Sequence, residues 1–438
     1  MSETFRVFAN LAVTSEGCTA LLENGVAEKL CRVIKYGNNS GDDDGNNDDD
    51  NNSNSDDNGY SDVTIEYALW TLGNIAGEGR EAVDSLRKRG AFASVCTYMI
   101  QALGVNGNVS FNVYKTLVWT FSNFVNVSPP LSYRYVSQLV PLLSHGLRIN
   151  HEIPELYEAL IDALWALARI YRPETRGVRF SHLLDEGDNS TFHWALEHLQ
   201  FPSARTPALR LIGNVAALTD GTPARVFTAP VLARLQWCAA ELEPDEVNAL
   251  IELLQLLSNL LGRETALVLR VFESDLVHAV IARLPAPPRD GDVAHTEWTC
   301  AAELSWGLLS ALSAPARENG DRVAVATALL NSGAVQFCAQ ALNTAVALSE
   351  APPDETLNRL LKIVRSLIMV GEEAGAGADS VVSNEGVVEP QNRFLAAFIA
   401  ADGEAALSGL VNNDEACAGV VDEVKQLHEL VCQLSVDQ

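Results

Sequence analysis

One short string recurs along this chain and restricts its fold more than any other feature. ALWTLGNIAG, LVWTFSNFVN, ALRLIGNVAA and LLQLLSNLLG each place Asn four residues after an aromatic or long side chain inside an apolar run. The same position falls at Asn74, Asn123, Arg169, Asn214, Asn259 and Ser310, in steps of 49, 46, 45, 45 and 51 residues. Residues four apart share one face of an α-helix, and a period of roughly 40–47 residues is that of stacked two- or three-helix units. Such a unit cannot cover its own apolar face and buries it against its neighbours. A further copy, FRVFANLAV, puts Asn10 64 residues before Asn74.

That long step has a local cause. Between Asn38 and Asn58 runs a tract of Asn, Asp, Gly and Ser with eight aspartates, which has no apolar face to bury and reads as a disordered insert. Residues 1–37 then form a first, partial repeat and 38–60 the insert. Repeats follow over 61–370, a Gly/Ala/Glu/Ser-rich flexible segment over 371–392, and a helical cap over 393–438. Strand signals are scarce, while LYEALIDALWALARI (156–170) and VNALIELLQLLSNLL (247–261) carry apolar residues at three- and four-residue spacing. Shorter helices are expected to open at Gly25-Val26, Gly90-Ala91 and Gly333-Ala334, since Gly ends one helix where the next begins.

Composition narrows the function. With 30 basic against 57 acidic residues the formal charge is −27, which repels nucleic acid and anionic membranes and favours cationic partners. No run of about 18 apolar residues is present, so no membrane insertion is expected. Eight cysteines lie singly without CxxC spacing and read as reduced core residues. His193 and His198 are five apart and off one helical face, so no metal site is expected. No catalytic constellation or phosphate loop can be assembled, so neither an enzyme nor a cofactor is expected.

Four segments carry a more specific likeness. EYALWTLGNIAGEG (66–79), LVWTFSNFVNVSPP (117–130), TPALRLIGNV (206–215) and VRSLIMVGEEA (364–374) resemble successive armadillo repeats of the importin alpha family, in the family's order. The resemblance implies an all-α, right-handed superhelical solenoid in which the third helix of each repeat lines a groove for Lys/Arg-rich nuclear localisation signals. A primary amide both donates and accepts, so an Asn ladder can hold an extended peptide by its main chain. Indoles four residues earlier form slots for cationic stems. By resemblance the major site comprises Asn10, Thr19, Trp70, Asn74, Glu78, Trp119, Asn123, Asp162 and Trp165, with Glu78 and Thr19 at the family's principal lysine pocket. The minor site comprises Arg210, Asn214, Asp220, Glu252, Asn259, Glu303 and Trp306.

Departures from the pattern bear on strength. Arg6 and Gln255 stand where the family usually has Trp, Arg169 where it has Tyr and Ser310 where it has Asn. Arg169 is expected to repel a neighbouring cargo lysine. Trp194, Trp237 and Trp298 fall outside the phase and read as packing residues. The likeness begins at the groove helix of the family's second repeat, so the first repeat and the importin beta-binding segment are expected to be missing. Two functions share this groove. One is an adaptor shuttling between cytoplasm and nucleus, with an importin beta-like carrier and an export factor implied by the family. The other is an armadillo scaffold that binds a different partner without a transport role.

Overall fold

The computed structural model describes residues 2–36, 60–102, 109–150, 153–185, 190–285, 295–313, 319–347, 353–375, 392–412 and 420–436. Most of the Asp-rich insert, the core of the 371–392 segment and Cys417 lie outside these residues. No strand occurs among the described residues.

The α-helices come as one single member followed by triplets. α1 (Ser2–Leu11) precedes α2 (Ser15–Glu23), α3 (Val26–Tyr36) and α4 (Asp62–Gly77). Next come α5 (Arg80–Lys88), α6 (Ala91–Ala102) and α7 (Phe111–Val125), then α8 (Tyr133–Val136), α9 (Val140–Asn150) and α10 (Tyr157–Ile170). α11 (Ser181–Leu184), α12 (Thr191–Glu197) and α13 (Pro202–Ala216) follow, then α14 (Thr222–Val226), α15 (Ala229–Ala240) and α16 (Val247–Leu261). The order closes with α17 (Thr265–Glu273), α18 (Leu276–Ile281), α19 (His295–Ser313), α20 (Asn319–Asn331), α21 (Ala334–Ala347), α22 (Asp354–Gly375), α23 (Arg393–Ala400), α24 (Gly403–Val411) and α25 (Val421–Val436). This is the armadillo-repeat solenoid that the spacing and the resemblance predict. The chain divides into two compact units, Met1–Leu211 and Ile212–Gln438, with the boundary inside α13.

In the first unit α4 packs between α1 and α7, α7 also meets α10, and α3 meets α6. In the second, α16 meets α19, α19 meets α22, and α15 meets α18. Third helices therefore stack on third helices, and second on second. α4 shows how sequence dictates this. Ser61 caps it by accepting from the Thr64 amide at 3.4 Å. Ile65, Ala68, Leu69, Leu72, Ile75 and Ala76 are all buried. A helix apolar on nearly every side must be covered on nearly every side. Each buried Leu or Ile contributes about 1.5–3 kcal/mol. The strip left over is Glu66, Trp70, Asn74 and Glu78, in steps of four.

The turn between first and second helices needs a left-handed residue. Gly25, Gly90 and Gly333 supply it at φ 66°, 83° and 85°, where no Cβ penalty arises. Asp275 and Asp402 take the same place at φ 56° and 60°.

Within each unit, arginines join successive repeats. Arg172 Nη2 donates to the Val125 carbonyl at 3.4 Å, at the end of α7. Arg263 donates from Nε and Nη2 to Ala216 O at 3.1 and 2.9 Å, and Arg270 Nη1 reaches Ala224 O and Phe227 O. Each places a cation on otherwise unsatisfied carbonyls at a helix C-terminus. Six of the seven described cysteines are buried, and burial holds the Cys96 and Cys338 thiols up to about 12. Among the described residues no single helix is long and apolar enough to cross a membrane.

Candidate functional site

The leftover strips of α4 and α7 come together through a close helix approach. A Cβ built on Gly73 would lie 2.3 Å from Trp119 Cζ3, so the Trp119 indole rests on bare backbone of the preceding third helix. Gly73 costs about 1 kcal/mol of helix propensity relative to Ala, and the indole seat is what that residue allows. Thr120 Oγ1 donates to Leu69 O at 3.0 Å, and Asn123 Nδ2 donates to Gly73 O at 3.2 Å. These two bonds fix the register of α7 on α4.

Trp70 stands on the same face, 41% exposed, with Tyr67 stacked beside it at 6.4 Å and an interplanar angle of 12°. Between Trp70 and Glu78 sits Asn74, whose Nδ2 is buried and has no hydrogen-bond partner. A buried amide donor without an acceptor costs about 1–3 kcal/mol. Glu78 is exposed at the end of α4. Its charge adds to the burial that raises the Cys18 thiol to about 11, which places it beside α2. There Thr19 Oγ1 donates to Ser15 O at 3.0 Å. Asn10 is exposed on α1.

One repeat further on, the surroundings of the indole change. The guanidinium carbons of Arg169 and Arg210 lie over the Trp165 ring, 5.2 and 5.3 Å from its centroid. Arg169 Nη1 donates to Ser122 Oγ at 2.7 Å. Burial, with repulsion from Arg172 and Arg210, brings the Arg169 guanidinium down to about 10. Burial pushes Asp162 up to about 6 against the pull of Arg169, with Glu158 adding repulsion. Arg210, grouped by the sequence with the second site, thus lies at the third indole of the first unit.

In the second unit Trp306 is 52% exposed and carries Arg359 over its ring at 4.8 Å. Arg359 also pairs with Glu355. Burial raises the Glu303 carboxyl, against the effects of Arg359 and of a hydrogen bond from Gln255. Ser258 Oγ donates to the Glu303 main-chain carbonyl at 2.7 Å, joining α16 to α19. Glu252 is buried, and Asn214 and Asn259 are half-buried on the strips of α13 and α16. Asp220 Oδ1 accepts from the Thr222 amide at 3.1 Å, and the Thr222 hydroxyl and amide hold its carboxyl low. It therefore serves the start of α14.

Three features were missed in the sequence: the arginines over Trp165 and Trp306, the glycine seat under Trp119, and Tyr67 beside Trp70. The i, i+3 spacing of Tyr67 and Trp70 was the available signal for the last. Among the described residues no cluster of three or more metal-ligating side chains occurs.

The chain is similar to importin alpha subunits over about a third of its length. It is 31% identical over 157 residues to importin subunit alpha-1b of Oryza sativa subsp. japonica, covering 35% of this chain and 26% of that protein. With the probable importin subunit alpha-A of Dictyostelium discoideum it shares 27% identity over 164 residues, 35% of this chain and 28% of that one. The chain thus spans only about a quarter of the length of these relatives. No protein-family model matches it. Among solved structures an engineered protein aligns over 98% of this chain and 95% of its own, with a TM-score of 0.58 and 13% identity, a likeness of fold alone.

Proposed function

We propose that the face lined by Trp70, Asn74, Trp119 and Asn123 binds a lysine-rich extended peptide, and that the protein is a nuclear import adaptor for cargo bearing such segments. The open Trp70 indole, 41% exposed four residues before Asn74 on the same helix face, carries this reading. Among the described residues no cation lies over the Trp70 or Trp119 indole, whereas Trp165 and Trp306 are covered. Lysine stems beside each indole would gain about 0.5–2 kcal/mol each. The exposed Glu78 would select cations over apolar side chains. The net charge of −27 would draw basic segments in from a distance set by ionic strength.

Transport itself rests on the similarity to importin alpha subunits: an importin beta-like carrier, an export factor and shuttling between cytoplasm and nucleus. A second reading, an armadillo-repeat scaffold for a different peptide or protein partner without a transport role, draws on the arginines over Trp165 and Trp306.

Fluorescence anisotropy of a labelled lysine-rich peptide tests the binding claim. Tight, salt-sensitive binding is expected, lost on changing the central lysine to Thr and in the protein carrying Trp70→Ala and Asn74→Ala. Equal binding of both peptides would remove it. Accumulation of a cargo bearing the same peptide in the nuclei of permeabilised cells then separates adaptor from scaffold.

A further inference from the structure

We infer that Arg359 fills in cis the cation position beside Trp306, closing the second unit's groove site to a cargo lysine or arginine, so that the chain reads a single basic cluster. This rests on the peptide-binding reading above and specifies the kind of signal that the Trp70 face takes. A basic side chain held on such a groove needs an indole to lie on, a carboxylate and a main-chain acceptor. At Trp306 all three are engaged from within the chain. Arg359 stands on α22, the third helix packed on α19. Its guanidinium carbon lies over the Trp306 ring, 4.8 Å from the centroid, its Nη2 pairs with Glu355, and its Nη1 donates to the Ala302 carbonyl at 3.4 Å. The Arg359 side chain is only 16% exposed although Trp306 is 52% exposed, so the guanidinium is packed on protein rather than solvated.

The other groups of this face add to the closure. Glu303, three residues before Trp306, is the carboxylate a cargo cation would meet; it already feels the Arg359 charge and accepts from Gln255. Gln255 also stands at the position of α16 that carries the indole in α4 and α7, so no second ring walls a slot from that side. Glu252 on α16 is buried, and Asp354 and Lys362 on α22 are exposed. A guanidinium of the same chain loses no translational freedom in taking the ring, whereas a free peptide does. With the ring open about a tenth of the time, an incoming cation binds about tenfold more weakly than to an open slot.

The test titrates the full chain with a short peptide carrying one lysine cluster. Isothermal titration calorimetry counts the sites, and the Trp306 resonance of 5-fluorotryptophan-labelled protein reports on the second. The wild-type chain is expected to take one peptide and leave Trp306 in place. Arg359→Ala, and the milder Arg359→Gln, should add a second site, about tenfold tighter there than wild type. That site should move the Trp306 resonance, persist in protein also carrying Trp70→Ala and Asn74→Ala, and vanish when Trp306→Ala is added. Lys362→Ala, one turn along α22, removes the same charge without uncovering the ring and should add no site. Three results would overturn the inference and leave the lysine-binding face at Trp70 and Trp119 standing: no second peptide on either Arg359 variant, an equal gain in Lys362→Ala, or a wild-type Trp306 that already responds. A wild-type chain that takes no peptide would remove both readings together.

Discussion

Trp119 and Trp165 occupy the same position on adjacent third helices, 46 residues apart, yet their surroundings differ in charge. Trp119 rests on the bare backbone of Gly73, next to an asparagine that lacks an acceptor. Trp165 has two guanidiniums over its ring. Two positions are responsible: Arg169 stands where Asn123 follows the first indole by four, and Arg210 reaches the Trp165 ring from α13. An amide there can hold a neighbouring main chain. A guanidinium is long enough to fold back on the indole and to reach Ser122 on the helix before. Two repeats of one fold thus hold the same indole position in different charge surroundings.

Removing each ring separately tests this contrast most strongly. Trp119→Ala is expected to weaken a bare lysine-run peptide by about 10- to 30-fold, losing a cation–π contact and the packing of a lysine stem, and Trp165→Ala by less than about twofold, both by anisotropy. Equal losses would erase the distinction. A smaller effect follows from the seat: Gly73→Ala forces Trp119 aside, lowering affinity by about 10-fold and stability by about 1–3 kcal/mol in denaturant unfolding.

The register of the third helices was legible in the sequence, because the Asn period and the four-residue offset are properties of one helix at a time. The glycine turns at Gly25, Gly90 and Gly333 were legible for the same reason. What Arg169 does was not. Its side chain lies on Trp165 and bonds a hydroxyl 47 residues earlier, a direction that periodicity does not encode. Gly73 stood in the recurring string without a reason until the next helix supplied one. Asp275 and Asp402 gave no sign of left-handed turns, because Asp is tolerated there without being required.

Asp162 offers a finer probe of the arginine-rich region. Its folded carboxyl, at about 6, lies above the ordinary 3.8, so the folded state holds the proton more tightly than the unfolded chain. Its contribution to stability is therefore fully present below pH 4 and declines as pH rises from about 4 to about 6. Asp162→Asn should remove that decline and stabilise the protein at pH 7 by about 1 kcal/mol, after allowance for solvent screening. An unchanged pH profile of unfolding would mean that the carboxyl is not perturbed. Smallest of all, Asp275→Gly relieves a left-handed non-glycine residue and should raise stability by about 0.5–1 kcal/mol in the same measurement.

The most direct measurement is fluorine NMR of protein labelled with 5-fluorotryptophan, each resonance assigned by a single Trp→Phe change and titrated with the bare lysine-run peptide. The Trp70 and Trp119 resonances should move together and saturate, while Trp165 and Trp306 stay in place. Movement of Trp165 with Trp70 and Trp119 unaffected would contradict the account at its centre.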